Sequence, residues 1–561
     1  MAVSISPLLN GERAVVTLFV GCILFSLPYS LLLHGLSLSL LSLFAFSVEI
    51  LSDNSPSLSL FKTRAGASSG ILLGAVTLPA LMLAKLIQMS RALLLHQTNH
   101  QELNYLALEY WASSAASFFV LVFLCISVRC SPKHSLRPPF SAWLFKFGSS
   151  CCVLYAALSF LSLNGLLSNF PWVISHGCAS VILLQHLLNT FPSCASIGEA
   201  LLVTASLVLY FGDMMACTFE KFRGYLTPSV LVPVRMGTKR SEISIIIQGL
   251  LLGLLILPVA FKSVLHIMRY PVNPSNCGAR AYSEGRQSVV FFALLGFITI
   301  VVSPSWMQLV EDFDVHPYLW VVKFVFSEPV KRLSLCIYWV CVILASVQRF
   351  YNISKNSKIE RILLRKYYHL VAVLMFSPAV IFQPKFLGLA FGAALAAFLI
   401  LEIIRVWKIW PFGQVIHQFM NAFTDHRDSD LLIVSHFSLL LGCAIPIWMS
   451  SGYNDRPLAP FSGILSLGIG DTMASMVGHK YGVLRWSKTG KKTIEGTAAG
   501  ITSVLAACSV LLPLLASTGY ILTQNWVSLL LAVIVSGLLE AYTAQLDNAF
   551  IPLVFYSLLC L

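Results

Sequence analysis

The chain has 561 residues, of which 57% are hydrophobic and only 11% charged, with a net charge of +13. A soluble globular chain carries about a quarter of its residues as charges, so this composition excludes one. Without a soluble basic domain, the positive excess argues for orientation in a membrane and against nucleic-acid binding.

Apolar runs of roughly 17 to 25 residues recur along the chain, each long enough to cross a bilayer as a helix. They are continuous rather than alternating, which argues against a β-barrel. The expected fold is an all-α polytopic integral membrane protein with roughly 15–17 transmembrane helices. The first run, 14–33, is too long for a cleaved signal and reads as an anchor. Further spans fall near 36–51, 70–87, 110–128, 142–161, 172–188 and 200–216. Glu199 and Asp213 lie at the edges of the last of these and read as solvated span-end acids. A polar connection at 217–242 is followed by spans near 244–264, 289–302 and 333–347. Between the last two, Glu311, Asp312 and Asp314 read as an exposed acidic loop, and 315–326 as a span or an interfacial segment. Fourteen scattered cysteines show neither a zinc spacing nor a disulfide framework.

The chain changes character near residue 349, dividing it into an N-terminal multi-span region, 1–348, and a C-terminal region, 349–561. The second region opens with a basic segment at 349–366. Spans at 369–382 and 386–404 follow, then a polar loop at 405–430, and spans at 431–450 and 461–477. A basic loop at 478–496 precedes spans at 497–515 and 526–539, then Glu540 to Asn548 and an apolar tail from Ile551.

Glycines, hydroxyls, acids and a dense group of bases occur together only at 468–500, GIGDTMASMVGHKYGVLRWSKTGKKTIEGTAAG. Small residues let a ligand approach the backbone, lysines neutralise phosphate, and an acid among them can hold a divalent metal. Taken alone, the stretch is read equally well as a nucleoside triphosphate site or as a small-residue helix contact beside a basic loop. Asp471 is the sharpest residue, because a carboxylate at this depth needs a partner. Thr493 is placed to cap a helix, and Glu495 to complete a local network. Arg365 and His369, four apart, share a helix face that excludes Lys366. Glu402 and Arg405, three apart, can pair. Glu540 and Asp547, seven apart, would lie on nearly the same face of one helix.

Span parity favours the ligand-binding reading. Two spans separate each successive pair among Arg365–Lys366, the loop 405–430, the loop 478–496 and the segment 540–548. An even count brings all four to one side, and the basic character of two of them makes that side cytosolic.

Several of these residues are familiar as a set. Gly470-Asp471-Thr472 with Ala474, Ser475 and Gly478, followed by Lys491-Lys492-Thr493-x-Glu495-Gly496-Thr497, resembles the CTP-binding region of dolichol kinases. Arg365-Lys366-Tyr-Tyr-His369, the loop Asp425 to Asp430 leading to His436, and Glu540-Ala-Tyr-Thr-x-Gln545-x-Asp547-Asn548 are similar to that family too. The resemblance covers about residues 350–561; the N-terminal part matches only as a stack of spans. It implies transfer of the γ-phosphate of CTP to dolichol or a related polyprenol at the endoplasmic reticulum membrane, with the active-site loops facing the cytosol. CTP enters only through the resemblance. So does a CTP- and phosphate-binding set of Arg365, Lys366, His369, Gly468, Gly470, Asp471, Thr472, Ser475, Gly478, Lys488, Lys491, Lys492, Thr493 and Gly496. Asp471 would bind the metal–triphosphate, with Mg2+ as the expected cation. One of Asp425, Asp428, Glu495 and Asp547 would orient the alcohol or accept its proton, and that choice stays open. Other CTP-using lipid enzymes, phytol and diacylglycerol kinases and phosphatidate cytidylyltransferases, carry a similar pattern but are usually much shorter. A transporter with Glu402, Asp471 and Asp547 along a polar path is a rival of another class, but it has no need of the KKTIEGT stretch.

Overall fold

The computed structural model describes residues 10–53, 63, 68–129, 138–160, 166–226, 240–268, 277–356, 361–421, 432–486, 492–519 and 525–561. These residues are almost entirely helical. In chain order the helices are α1 (Gly11–Phe25), α2 (Leu32–Asp53), α3 (Ile71–Leu94), α4 (His100–Arg129), α5 (Pro138–Phe160), α6 (Leu166–Thr190) and α7 (Ile197–Leu226). Then come α8 (Glu242–Ile267), α9 (Cys277–Phe297), α10 (Ser303–Val310), α11 (Pro317–Ser327), α12 (Pro329–Asn356), α13 (Arg361–Phe382) and α14 (Pro384–Trp407). The last six are α15 (Gly413–Asn421), α16 (Val434–Met449), α17 (Thr472–Tyr481), α18 (Ile494–Ser517), α19 (Trp526–Tyr542) and α20 (Asp547–Leu559). Among the described residues, ten helices are long and apolar enough to cross a membrane, and five further apolar helices run 10–17 residues. The chain is a polytopic α-helical membrane protein. The first apolar run is not one continuous helix: α1 ends before Pro28, whose missing N–H and fixed φ stop helix propagation, and α2 begins afresh at Leu32.

The chain forms two compact units, one of residues 1–238, 338–382 and 441–561, the other of 239–337 and 383–440. In the second unit α8 packs on α9, α10 and α14. Its core joins Leu257, Phe261, Phe291, Ile298, Ile404 and Ile409, with the Phe261 ring stacked on Trp407 at 5.0 Å. Glu402 and Arg405 are buried there and do pair, at 2.6 and 2.8 Å. Glu402 also accepts the Ile433 N–H at 3.0 Å. Removing either partner of such a buried pair strands the other's charge, at about 3–5 kcal/mol.

The first unit is built around α3, whose apolar stretch is entirely buried. α1, α2, α4, α7 and α20 pack on it. Lipid is as apolar as leucine, so hydrophobicity alone does not hold such a helix among others; small residues and polar contacts do. At its N-terminal end, a Cβ on Gly198 of α7 would lie 2.0 Å from the Gly70 carbonyl oxygen, and one on Gly74 would lie 2.3 Å from the Gly198 oxygen. Only glycine permits that approach. Gly70 itself has φ +60, the left-handed region that favours glycine.

The C-terminal end of α3 is tied by polar groups. Lys85 donates to the Tyr453 carbonyl at 3.0 Å. Gln88 donates to Asn454 and Asp455, and Arg91 pairs with Asp455 at 2.9 Å. Asp455 is partly desolvated, which raises its pKa, but Arg91, Gln88 and Arg456 outweigh this and hold it below the ordinary carboxylate value. Because the folded pKa is lowered, this stabilisation is present above about pH 4 and is lost as the pH falls through the ordinary carboxylate value toward the folded one. Thermal unfolding of the purified protein between pH 6 and pH 3 should therefore show a falling midpoint, with a smaller fall in Asp455→Asn. Equal falls would show that other carboxylates carry the acid sensitivity.

Candidate active site

The functional stretch begins in a π-helical segment, Ile464–Asp471, that runs directly into α17. Such wide turns recur at functional sites. Here the segment is wedged against α13, α18 and α20. The space a side chain would need at its glycines is already taken by protein. A Cβ on Gly468 would meet Val373 at 2.2 Å, and one on Gly470 would meet Val504 at 3.1 Å. Farther on, a Cβ on Gly478 would meet Thr493 Oγ1 at 2.8 Å, and one on Gly496 would meet the Ala474 carbonyl at 2.6 Å. The two readings of this stretch are thus compatible: its glycines make helix contacts, and those contacts position its acid.

Asp471 is 3% exposed. Lys366, from the first half of α13, forms an ion pair with its Oδ2. His369 lies one turn on, with Nδ1 3.2 Å from the same oxygen and 3.1 Å from the Leu467 carbonyl. Thr472 adds a long bond to the Lys366 carbonyl, at 3.4 Å. The expected helix face is therefore corrected: Lys366 and His369, three apart, meet at Asp471, as i, i+3 neighbours do. Arg365 lies in α13, but its side chain is outside the described residues.

Around this trio the other charges gather. Electrostatic interactions link Glu540 to Asp471, Lys492, Lys366 and Asp547. Lys492 donates from Nζ to the Glu540 carbonyl oxygen. Glu540 also lines a cavity of about 20 Å³ with Ser466, Thr497 and Ser536, room for one water. Glu540 and Asp547 do not share a helix as their spacing suggested. α19 ends at Tyr542 and α20 starts at Asp547, with extended backbone at Thr543 and Leu546 between them. Two helices thus bring the two acids to one cluster.

The basic loop closes on itself. Thr493 caps α18, its hydroxyl accepting the Gly496 N–H at 3.2 Å. Ile494 N–H donates to the Leu484 carbonyl at 2.8 Å. Glu495 accepts the Leu484 N–H at 3.0 Å, the local role its position suggested, and is not among the groups that converge on Asp471. The Trp486 indole donates to Thr497 at 2.9 Å. Ser475 lies half-buried on α17, one turn after Asp471. Lys488, Lys491, Asp425 and Asp428 fall outside the described residues. Of the four polar groups that parity assigned to one side, three converge here: Lys366 with His369, Asp471 with Lys492, and Glu540 with Asp547.

Asp471 offers an oxygen donor of the kind Mg2+ takes, with two more carboxylates nearby. Among the described residues no trio of His, Cys, Asp or Glu forms a ready cage.

Glu540, an acid beside an apolar tail that is costly unless it has a partner, lies in this cluster although the expected site residues include only Asp547 of the pair. Glu199, expected to be solvated, is 3% exposed and holds the Leu546 N–H at 2.7 Å.

The family model for dolichol kinase matches residues 178–512. The chain is 61% identical to "Dolichol kinase EVAN" of Arabidopsis thaliana across the whole of both chains. It is 31% identical to human dolichol kinase over 68% of this chain and 67% of that one. With "Dolichol kinase sec59" of Schizosaccharomyces pombe, identity is 32% over 48% of this chain and 55% of the relative. No solved structure matches the chain.

Proposed function

The chain belongs to the dolichol kinase family, and from that premise we propose how its residues perform the family's reaction. The reaction is CTP-dependent phosphorylation of dolichol to dolichyl phosphate, the lipid carrier for glycosylation. The observation that supports the residue assignment is the buried Lys366–Asp471–His369 cluster, with Lys492, Glu540 and Asp547 around it.

Phosphoryl transfer depends chiefly on positioning and charge neutralisation. Asp471 would hold a divalent cation, Mg2+, together with triphosphate oxygens, and that cation would neutralise charge developing on the phosphates. His369 orients the Asp471 carboxylate from Nδ1. Lys366 and Lys492 neutralise phosphate oxygens, Lys366 exchanging a carboxylate for a phosphate partner as nucleotide enters. Arg365, Lys488 and Lys491 add positive charge in the same stretches, and the Thr472 and Ser475 hydroxyls offer donors beside Asp471. The dolichol hydroxyl oxygen bonds to the γ-phosphorus as the bond from that phosphorus to the β–γ bridging oxygen breaks. CDP leaves, and the hydroxyl proton passes to Asp547. The region 349–561 carries this chemistry, and the spans of 1–348 shape a lipid-accessible groove for the polyprenyl chain. The basic segments at 349–366 and 478–496 favour a cytosolic orientation of the site in the endoplasmic reticulum membrane.

Isolated protein supplied with dolichol and each of four γ-labelled nucleotides tests the reading. Label should reach lipid from CTP alone. Label in pyrophosphate with none in lipid would indicate nucleotidyl transfer and overturn it.

A further inference from the structure

The link between the two acids is held by residues from far earlier in the chain. All its backbone N–H groups have acceptors. Thr543 donates to the Leu539 carbonyl at 2.9 Å, and Gln545 to the Thr543 hydroxyl at 3.1 Å. Ala544 donates to Glu12. Leu546, the residue just before Asp547, donates to Glu199 Oε1 at 2.7 Å. The Gln545 side chain is anchored on two sides. Its Oε1 accepts from the Ser196 hydroxyl, and its Nε2 donates to the Ser68 carbonyl at 3.0 Å and hydroxyl at 2.7 Å. Gly70 leaves the amide its room, since a Cβ there would lie 2.4 Å from Gln545 Cδ.

Glu199 has two separable tasks. Its Oε2 accepts the Ser196 N–H at 2.8 Å, while the Ser196 hydroxyl accepts the Glu199 N–H at 3.1 Å. This is a reciprocal capping box at the start of α7, which glutamine serves as well as glutamate. The other oxygen, Oε1, leaves its own helix and clasps Leu546. Only a carboxylate offers two acceptors; glutamine would keep the box and turn an NH2 toward the Leu546 N–H.

We propose that Glu199 is a positioning residue for phosphoryl transfer: through the Leu546 N–H it fixes the turn that delivers Asp547 to the Lys366–Asp471 cluster. The inference rests on the reading of Asp547 as proton acceptor. On this view the N-terminal spans, besides carrying lipid, complete the active site through α3 and α7.

Glu199→Gln in the full-length protein is the test, assayed with γ-labelled CTP and dolichol. The unfolding midpoint should fall only by a few degrees, because the capping box survives and the loss is confined to the unpaired Leu546 N–H. The kcat should fall about 10–100-fold, the scale of a small misplacement of a reacting group, with KM for CTP within about twofold. In an Asp547→Asn background the same substitution should produce no further loss. A wild-type kcat for Glu199→Gln, beside a loss in Asp547→Asn, overturns the positioning role and leaves the Asp547 reading standing. A wild-type kcat for Asp547→Asn overturns that reading and, with it, this inference. A raised KM at unchanged kcat would assign the network to nucleotide binding and overturn it as well. If Glu199→Gln does not fold, Gln545→Leu probes the same turn from its other side, and a wild-type kcat there overturns the proposal.

Discussion

Asp471→Asn is expected to lower dolichyl phosphate formation by at least about 10²–10³-fold, the scale of removing one preorganised electrostatic group from a reacting centre. Asparagine keeps the size of the side chain and can still accept from His369 Nδ1, so the local packing survives. What it loses is the charge that answers Lys366 and would hold the nucleotide's cation. Breaking a buried pair ordinarily costs about 3–5 kcal/mol, because the remaining charge is stranded. Here Glu540 and Asp547 also interact with Lys366, which softens that cost and keeps the variant folded. The measurement is label transfer from γ-labelled CTP to dolichol in purified membranes, beside an unfolding curve. Unchanged synthesis by a folded variant would remove Asp471 from the mechanism.

Gly496→Ala is expected to do comparable harm through packing. The added Cβ would sit 2.6 Å from the Ala474 carbonyl oxygen and 3.1 Å from Gly478 Cα. Both are backbone atoms of α17, so no side chain can swing aside; the helices must separate. Overpacking of this kind costs about 1–3 kcal/mol. Separation also shifts Thr493 and Lys492 relative to Asp471, and a displacement near 1 Å can cost about 10²-fold in rate. Gly21→Ala is the control. Nothing lies within 4 Å of a Cβ at Gly21, and alanine in a helix interior is about 0.5–1 kcal/mol better than glycine. Gly21→Ala should match or exceed the wild-type unfolding midpoint with full activity, while Gly496→Ala loses both. Equal behaviour of the two would mean that the α17–α18 approach tolerates expansion.

Much of the site was legible where its signal is local. Thr493 capping α18 follows from the order of residues at a helix start. The pairing of Glu402 with Arg405 follows from their spacing on a helix. Span parity brought distant polar groups to one side without any knowledge of which helices touch. A membrane reduces position to two faces, and residues from three of the four groups lie in the cluster around Asp471.

Other features were not legible, for physical reasons. Hydropathy does not distinguish an apolar face turned to lipid from one turned to protein, so α3 reads as an ordinary span and α20 as an apolar tail although both are buried in the first unit. Helical spacing joined Glu540 to Asp547 because nothing in Thr543 to Leu546 forbids a helix. The break is favoured there because Glu12 and Glu199 accept backbone N–H groups that a helix would otherwise pair, while Ser68 and Ser196 anchor the Gln545 side chain.

The sequence by itself determined that this protein is a helical bundle in a membrane, and it pointed to the polar groups of the last two hundred residues or so as the proposed site. Charge scarcity and apolar run length leave no other class, and the spacing of glycines, Asp471 and the lysines carries the resemblance to dolichol kinases. Only the tertiary structure decided which charge answers which. Lys366 meets Asp471, Glu540 joins the cluster, and Glu199 leaves the solvent to hold the turn before Asp547. A buried charge or backbone N–H takes whatever partner the packing brings within about 3 Å, and that choice is made by helices hundreds of residues apart.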